Sequence, residues 1–141
     1  MKNPKGGKTD LVISSYDKLR LLELLGRDAD SAASPSAADL RAEVERGAEV
    51  RPEDVPPDVV TMNTRVRVRE VDTGAVSSYT IVFPSDANPA KGMLSIVDAL
   101  AVALIGCRVG DVVTLSRGRS KQRFAIEEIL YQPEAAGDYH L

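Results

Sequence analysis

Two aspartates in a polar stretch, Asp28 and Asp30, are the residues whose type and spacing best resemble a catalytic pair. Neighbouring carboxylates supply the hard oxygen ligands that Mg²⁺ prefers, and a bound Mg²⁺ can activate a water molecule. Aspartates between two helices also form turns and cap helices without any catalytic role. We favour the turn-forming interpretation for both residues and keep metal binding as the alternative.

Other nucleophiles, bases and metal ligands are scarce in the chain. Cys107 is its one cysteine and His140 its one histidine, so neither an internal disulfide nor a zinc site of the usual ligand types can form. We expect Cys107 to be a small residue in a turn and His140 to be a mobile tail residue. No glycine-rich phosphate loop and no Ser/His/Asp set occurs. The sequence therefore predicts a protein that is not an enzyme and uses no cofactor or metal ion.

Basic side chains alternate along two segments that have the pattern of β-strands. Such a face binds phosphates or an acidic protein surface in some proteins, but no aromatic residue is interleaved here to stack on bases, and Glu70 and Asp72 lie close by. We favour a solvated sheet face, with protein contact as the functional alternative. The residues are Arg65, Arg67 and Arg69 in one segment, and Arg117, Arg119, Lys121 and Arg123 in the other.

Composition bounds the class of protein. The chain has 141 residues, 43% of them hydrophobic, and a net charge of −3, which allows one substantial core and gives no overall basic surface for direct, sequence-specific nucleic-acid binding. No apolar run approaches the roughly 18–20 residues that cross a bilayer, and the polar N-terminus is not a secretory signal. We therefore expect a cytoplasmic protein with no membrane association.

The N-terminal part of the chain reads as a helical arm. We expect residues 1–10 to be a disordered lead-in and residues 11–50 to form a short antiparallel helical hairpin, with helices ending near residues 25 and 47. Helices this short are only marginally stable in isolation, so the hairpin must pack against the rest of the chain or against a second copy of it. The sequence therefore leaves the oligomeric state open. Both helices begin with capping-box signals, Ser14 with Asp17 and Ser36 with Asp39.

The remainder of the chain predicts an α+β domain. Residues 51–58 form a proline-rich linker, and residues 59–141 contain alternating strands and one helix, which favours an antiparallel sheet. Asp98 is placed to cap the helix and Gly106 to end it. The strands are expected at residues 64–71, 75–83, 93–96, 112–115 and 122–131, and the tail after Gln132 is expected to be irregular.

Several short motifs resemble the C-terminal domain of the bacterial Gre transcript-cleavage factors. In that family a Ser-Pro pair opens the helix, whereas this chain has Asp98 and Ala99 there, which keeps a capping residue and loses the proline. Two further stretches resemble a branch of the family, the regulators of nucleoside diphosphate kinase (Rnk proteins). The Gre-like motifs are residues 94–96, 101–106 and 110–113, and the Rnk-like stretches are residues 58–66 and 131–139.

The resemblance implies a fold and a partner. Residues 59–141 would adopt a prolyl-isomerase-like (FKBP-like) fold, with the helix across an antiparallel sheet, and the hairpin would correspond to a coiled-coil arm. The partner implied is RNA polymerase, contacted at the rim of its secondary channel by the loop of Val97, Asp98 and Ala99. The longer arm of Gre factors carries an Asp-x-x-Glu pair that helps to hold the catalytic magnesium ion, whereas Asp28 and Asp30 lack that spacing.

The sequence therefore favours a regulator that competes with Gre factors at RNA polymerase without stimulating RNA cleavage. Its effect on nucleoside diphosphate kinase would then be indirect, through the level of that enzyme. The alternative is a transcript-cleavage factor that uses Asp28 and Asp30. A prolyl isomerase or chaperone is a third class, but the chain has no tryptophan and only two phenylalanines to build an aromatic pocket.

Overall fold

A computed structural model describes residues 12–27 and 35–139 of the chain. The predictions for residues 1–10, for Asp28 and Asp30 and for His140 lie outside these residues. None of the helices within the described segments is long and apolar enough to span a membrane.

The N-terminal segment contains two helices that contact each other and two short strands that flank them. The first predicted cap is confirmed, because the backbone amide of Asp17 donates to Ser14 Oγ at 3.1 Å. The two strands pair in parallel. Sequence analysis missed them, since three residues are too few to show an alternating pattern. The elements are β1 (Val12–Ser14), α1 (Ser15–Arg27), α2 (Pro35–Arg46) and β2 (Ala48–Val50).

The rest of the chain is built on a five-stranded sheet in the order β5-β4-β3-β7-β6. The predicted antiparallel pairing is confirmed for β3 with β4, β3 with β7 and β6 with β7. It is wrong for β5, which runs parallel to β4. The strands are β3 (Arg65–Glu70), β4 (Val76–Val82), β5 (Met93–Ser95), β6 (Val112–Arg117) and β7 (Ser120–Tyr131).

The parallel pairing of β5 follows from the connection that precedes it. Two 3-10 turns, Pro84–Asp86 and Pro89–Lys91, carry the chain back along the sheet edge before it enters the strand. Gly92 then has φ of 72°, a left-handed conformation that L side chains rarely adopt. The strand therefore enters the sheet in the same direction as β4 rather than by a hairpin.

Helix α3 (Ala99–Leu104) begins and ends as the sequence predicts. The amide of Leu100 donates to Asp98 Oδ1 at 2.9 Å, which is an N-cap hydrogen bond. Gly106 has φ of 79°, so a glycine is favoured where the chain leaves the helix. The helix contacts β6 and α2 and lies between the arm and the sheet.

The expectation of an irregular tail after Gln132 is wrong, because Pro133–Ala136 forms a short helix, α4. Gln132 caps it, accepting a hydrogen bond from the amide of Ala135 at 3.1 Å. The same side chain donates to the carbonyl oxygens of Pro56 (2.8 Å) and Val59 (2.7 Å). One residue thus fixes the C-terminal segment to the predicted linker, which the sequence pattern did not show.

The core is one contiguous cluster that both parts of the chain share. Leu21 and Leu40 of the arm helices are fully buried in the same cluster as Ile81 and Phe124 of the sheet and Leu104 of α3. The arm therefore packs as part of the main body of the protein.

Candidate functional site

The loop that enters α3 is built to present a short exposed surface. Asp98 and Ala99 are exposed, and Val97 is half-buried with its side chain packed against the core. The amide of Val97 donates to Ser95 Oγ at 3.3 Å, and Asp98 is held by its capping hydrogen bond. Both ends of the loop are therefore fixed, so its exposed atoms have a defined position for a partner.

A cleft of about 190 Å³ lies beside this loop. Its acidic group is Glu70 at the end of β3, whose Oε2 accepts from Gln122 Nε2 at 3.1 Å and whose Oε1 accepts from Thr73 Oγ1 at 3.2 Å. Sequence analysis missed the cleft because its lining comes from distant strands and a helix. The lining residues are Val68, Glu70, Ala75, Ser77, Tyr79, Leu100, Gln122 and Phe124.

Two of the three arginines of β3 form ion pairs with acids of the neighbouring strand β7. Arg69 Nε lies 2.6 Å from Glu127 Oε2, and Arg67 contacts both Glu127 (3.3 Å) and Glu128 (2.8 Å). Two consecutive strand residues can reach one arginine because the β3–β7 register shifts beside Arg67. The hydrogen bond from Arg69 is the main reason that the pKa of Glu127 lies below its usual value.

The second basic segment is only partly compensated. Arg123 Nη2 lies 2.7 Å from Asp72 Oδ1. Arg119 and Lys121 of this segment are exposed, and so is Arg65 of the first segment. The two segments therefore do not form a continuous basic face, and contact with an acidic partner at these residues stays a prediction.

A buried polar cluster joins the C-terminal helix to the start of the sheet. Thr61 Oγ1 donates to Glu134 Oε1 at 2.7 Å, and the amide of Thr61 donates to Thr64 Oγ1 at 2.9 Å. All three residues are buried. Glu134 was not singled out by sequence analysis, because the tail was expected to be irregular.

Asp17 of α1 lies near this cluster and forms an ion pair with Arg20. Burial raises the pKa of Asp17 to about 6, and the charge of Glu134 acts in the same direction. Arg20 also stacks on two rings, with its guanidinium carbon 4.1 Å from the centre of Tyr16 and 4.7 Å from that of Phe83. Helix α1 is therefore tied to the segment that follows β4.

Cys107 and a metal-binding cluster are the remaining chemical features that the sequence raised. Cys107 is buried, and its thiol donates to the carbonyl oxygen of Ala103 at 3.2 Å. No group of three or more His, Cys, Asp or Glu residues in residues 12–27 and 35–139 is arranged to hold a metal ion. A metal role for Asp28 and Asp30 stays a prediction, since neither is described.

Comparison with known proteins gives a consistent result. The family described as "Transcription elongation factor, GreA/GreB, C-term" matches residues 55–131. The "Regulator of nucleoside diphosphate kinase" of Escherichia coli K12 is 39% identical over 93% of this chain and 96% of its own. The "Transcription elongation factor GreA" of Solidesulfovibrio magneticus is 36% identical, over an alignment that covers 56% of this chain and 49% of that protein.

A solved structure shows the same fold. It is that of the "Prokaryotic transcription elongation factor GreA/GreB from Nitrosomonas europaea", with a TM-score of 0.75 and 34% identity. The alignment covers 88% of this chain and all of the other. The likeness thus extends beyond the family-matched residues 55–131 into the N-terminal arm.

Proposed function

Because the chain belongs to the GreA/GreB transcription elongation factor family, we propose that it binds RNA polymerase near the secondary channel and regulates transcription without stimulating RNA cleavage. The observation that carries the proposal is the pairing of a family-type domain with a very short arm. Helices α1 and α2 have 13 and 12 residues, which at 1.5 Å per residue gives lengths of about 20 Å.

The length of the arm separates docking from catalysis. An arm this short reaches only the entrance of the secondary channel of RNA polymerase. Asp28 and Asp30, which lie between its helices in the sequence, then do not reach the catalytic magnesium ion at the inner end of the channel. The protein then competes with longer-armed Gre factors for the same entrance. Its influence on nucleoside diphosphate kinase, suggested by the name of the relative from Escherichia coli, is an indirect effect on the level of that enzyme.

The docking contact is assigned to the loop of Val97, Asp98 and Ala99. Asp98 and Ala99 are exposed at a fixed helix start, and they occupy the positions of the family's Ser-Pro pair. Because Ala99 is the first residue of α3, a glutamate there suits the positive end of the helix and adds bulk and charge to the surface. Ala99→Glu therefore tests the contact with little effect on folding.

The decisive experiment is a pull-down of purified core RNA polymerase, repeated with excess Gre factor. We expect retention of the polymerase, release by the competitor, and at least tenfold weaker binding of Ala99→Glu. The matched control is Ala136→Glu, at an exposed residue of α4, which should bind like the wild type. Binding that Gre factor does not compete, or no binding at all, contradicts the proposal.

The alternative function is transcript cleavage through Asp28 and Asp30, favoured by the cleavage chemistry of Gre factors. An assay on stalled elongation complexes distinguishes the two. We expect no stimulation of cleavage by the wild type. Stimulation that disappears when both aspartates are replaced by alanine would establish the alternative instead.

A further inference from the structure

We infer that the cleft between β3, β4, β7 and the start of α3 binds an arginine side chain presented by a protein partner. The cleft has one carboxylate, Glu70, and two aromatic side chains, Tyr79 and Phe124, in its lining. Its volume of about 190 Å³ suits one long side chain better than a folded segment. Beyond the proposed function, a guanidinium is assigned as the ligand group and Glu70 as the residue that recognises it.

Glu70 differs from its acidic neighbours in having no cationic partner. Asp72 pairs with Arg123, and Glu127 pairs with Arg69. The partners of Glu70 are the neutral groups of Gln122 and Thr73. No lysine or arginine side chain in the described part of the protein forms an ion pair with it. A carboxylate whose partners are neutral is a site where an added cation meets no competing ion-pair partner.

The geometry of the Glu70 carboxylate favours a guanidinium over other cations. Each of its oxygens accepts one hydrogen bond from a neutral donor, so each retains acceptor capacity. A guanidinium donates two parallel hydrogen bonds to such a pair of oxygens. Its planar face also stacks on aromatic rings such as that of Tyr79, which is half-buried in the cleft lining.

The cleft adjoins the proposed docking loop (Val97, Asp98 and Ala99), because Leu100 lines the cleft and directly follows Ala99. A partner segment seated on the loop can therefore place an arginine in the cleft. The assignment of this arginine to RNA polymerase rests on the proposed function. The affinity of the cleft for a guanidinium is independent of the proposed function.

The test is an NMR titration of the ¹⁵N-labelled full chain with N-acetyl-arginine methylamide. The neutral, nearly isosteric citrulline analogue is the control ligand. We expect saturable shifts at the amides of Glu70, Tyr79 and Gln122 with the arginine probe, and much weaker ones with citrulline. Glu70→Gln should weaken binding about tenfold, the effect expected for loss of one charge-assisted hydrogen bond.

Two further variants keep the result interpretable. Asp72→Asn also removes one negative charge, but at the Arg123 pair outside the cleft, and should bind the probe like the wild type. Ser77→Arg, at an exposed position of the cleft lining, should fill the site with its own guanidinium and block the probe. Amide spectra of every variant establish that it is folded.

Absence of saturable shifts, equal binding of arginine and citrulline, or an unchanged affinity in Glu70→Gln would each overturn the inference. The polymerase pull-down separates it from the proposed function. Equal retention by wild type and Glu70→Gln removes the cleft from the interface and leaves polymerase binding intact. Failure of the wild type to retain polymerase, with the arginine probe still bound, removes the proposed function and leaves the cleft as an arginine site.

Discussion

Asp17 is a carboxylate that the fold buries almost completely, with 4% of its surface exposed. Burial disfavours its charged form, and the nearby carboxylate of Glu134 adds to this effect. Arg20 and the backbone amide of Met62 act in the opposite direction, but they do not offset burial. Two buried acids thus lie at the junction of α1 and α4, where the charge on Asp17 opposes folding.

The raised pKa of Asp17 makes stability depend on pH. Its folded-state pKa is about 6 and its ordinary value is 3.8, so the folded state binds the proton more tightly. The contribution of this group is most favourable below about pH 4 and is lost as the pH rises to about 6. A shift of about two units corresponds to roughly 3 kcal/mol.

Asp17→Asn should therefore stabilise the protein at pH 7 by up to about 3 kcal/mol and leave its stability at pH 4 nearly unchanged. The capping hydrogen bond survives, since it uses the backbone amide of residue 17. Urea unfolding of both proteins from pH 4 to pH 8 measures the effect. Asp86→Asn, at an exposed residue, is the control, and parallel pH profiles for Asp17→Asn and wild type would show that Asp17 is not responsible.

At the level of single elements, local signals predicted those features that a few neighbouring residues determine. Ser14 and Asp98 cap helices as expected, because the donor amides are two or three residues away. The partner strand of β5 and the helix after Gln132 depend on contacts with residues that are distant in sequence, such as Val59. The cleft around Glu70 was missed for the same reason, whereas the docking role of Val97, Asp98 and Ala99 stays a prediction from the family resemblance.

The turn before β5 allows a sharp test at one glycine. A Cβ on Gly92 would lie 2.9 Å from the carbonyl oxygen of Ser78, whereas a Cβ on Gly74 meets nothing within 4 Å. Both glycines have similar positive φ angles, 72° and 77°. Each alanine variant therefore carries the same conformational penalty of about 1–2 kcal/mol, and only Gly92→Ala adds a backbone clash.

We expect Gly92→Ala to unfold at a clearly lower urea concentration than Gly74→Ala, because β5 must move away from β4 to relieve the clash. Equal urea midpoints for the two variants would mean that β5 moves away from β4 without loss of stability. The loop of Val97 to Ala99 is separated from β5 by one residue, Ile96, so Gly92→Ala should also weaken polymerase retention more than Gly74→Ala does.

At the level of the whole molecule, the arm is not a separate unit. The sequence divides into arm, linker and domain, but Leu21 and Val44 of the arm helices lie in the same cluster as Ile96 and Leu104. Helix α2 contacts α3, whose first residue, Ala99, belongs to the proposed docking loop. Periodicity indicated only that the arm helices must be covered, since it contains no information about which distant surface covers them.

One shared core implies one cooperative unfolding transition, and Leu40 of α2 tests this. Its side chain is fully buried, so Leu40→Ala should cost about 2–5 kcal/mol. Leu19→Ala on α1, at a residue that is 67% exposed, is the matched control and should cost little. In Leu40→Ala, amide hydrogen exchange should accelerate in β3 and β7 as well as in α1 and α2, because the sheet loses stability together with the arm. Acceleration confined to the two arm helices would mean that the arm opens by itself, and the position of the docking loop would then not depend on it.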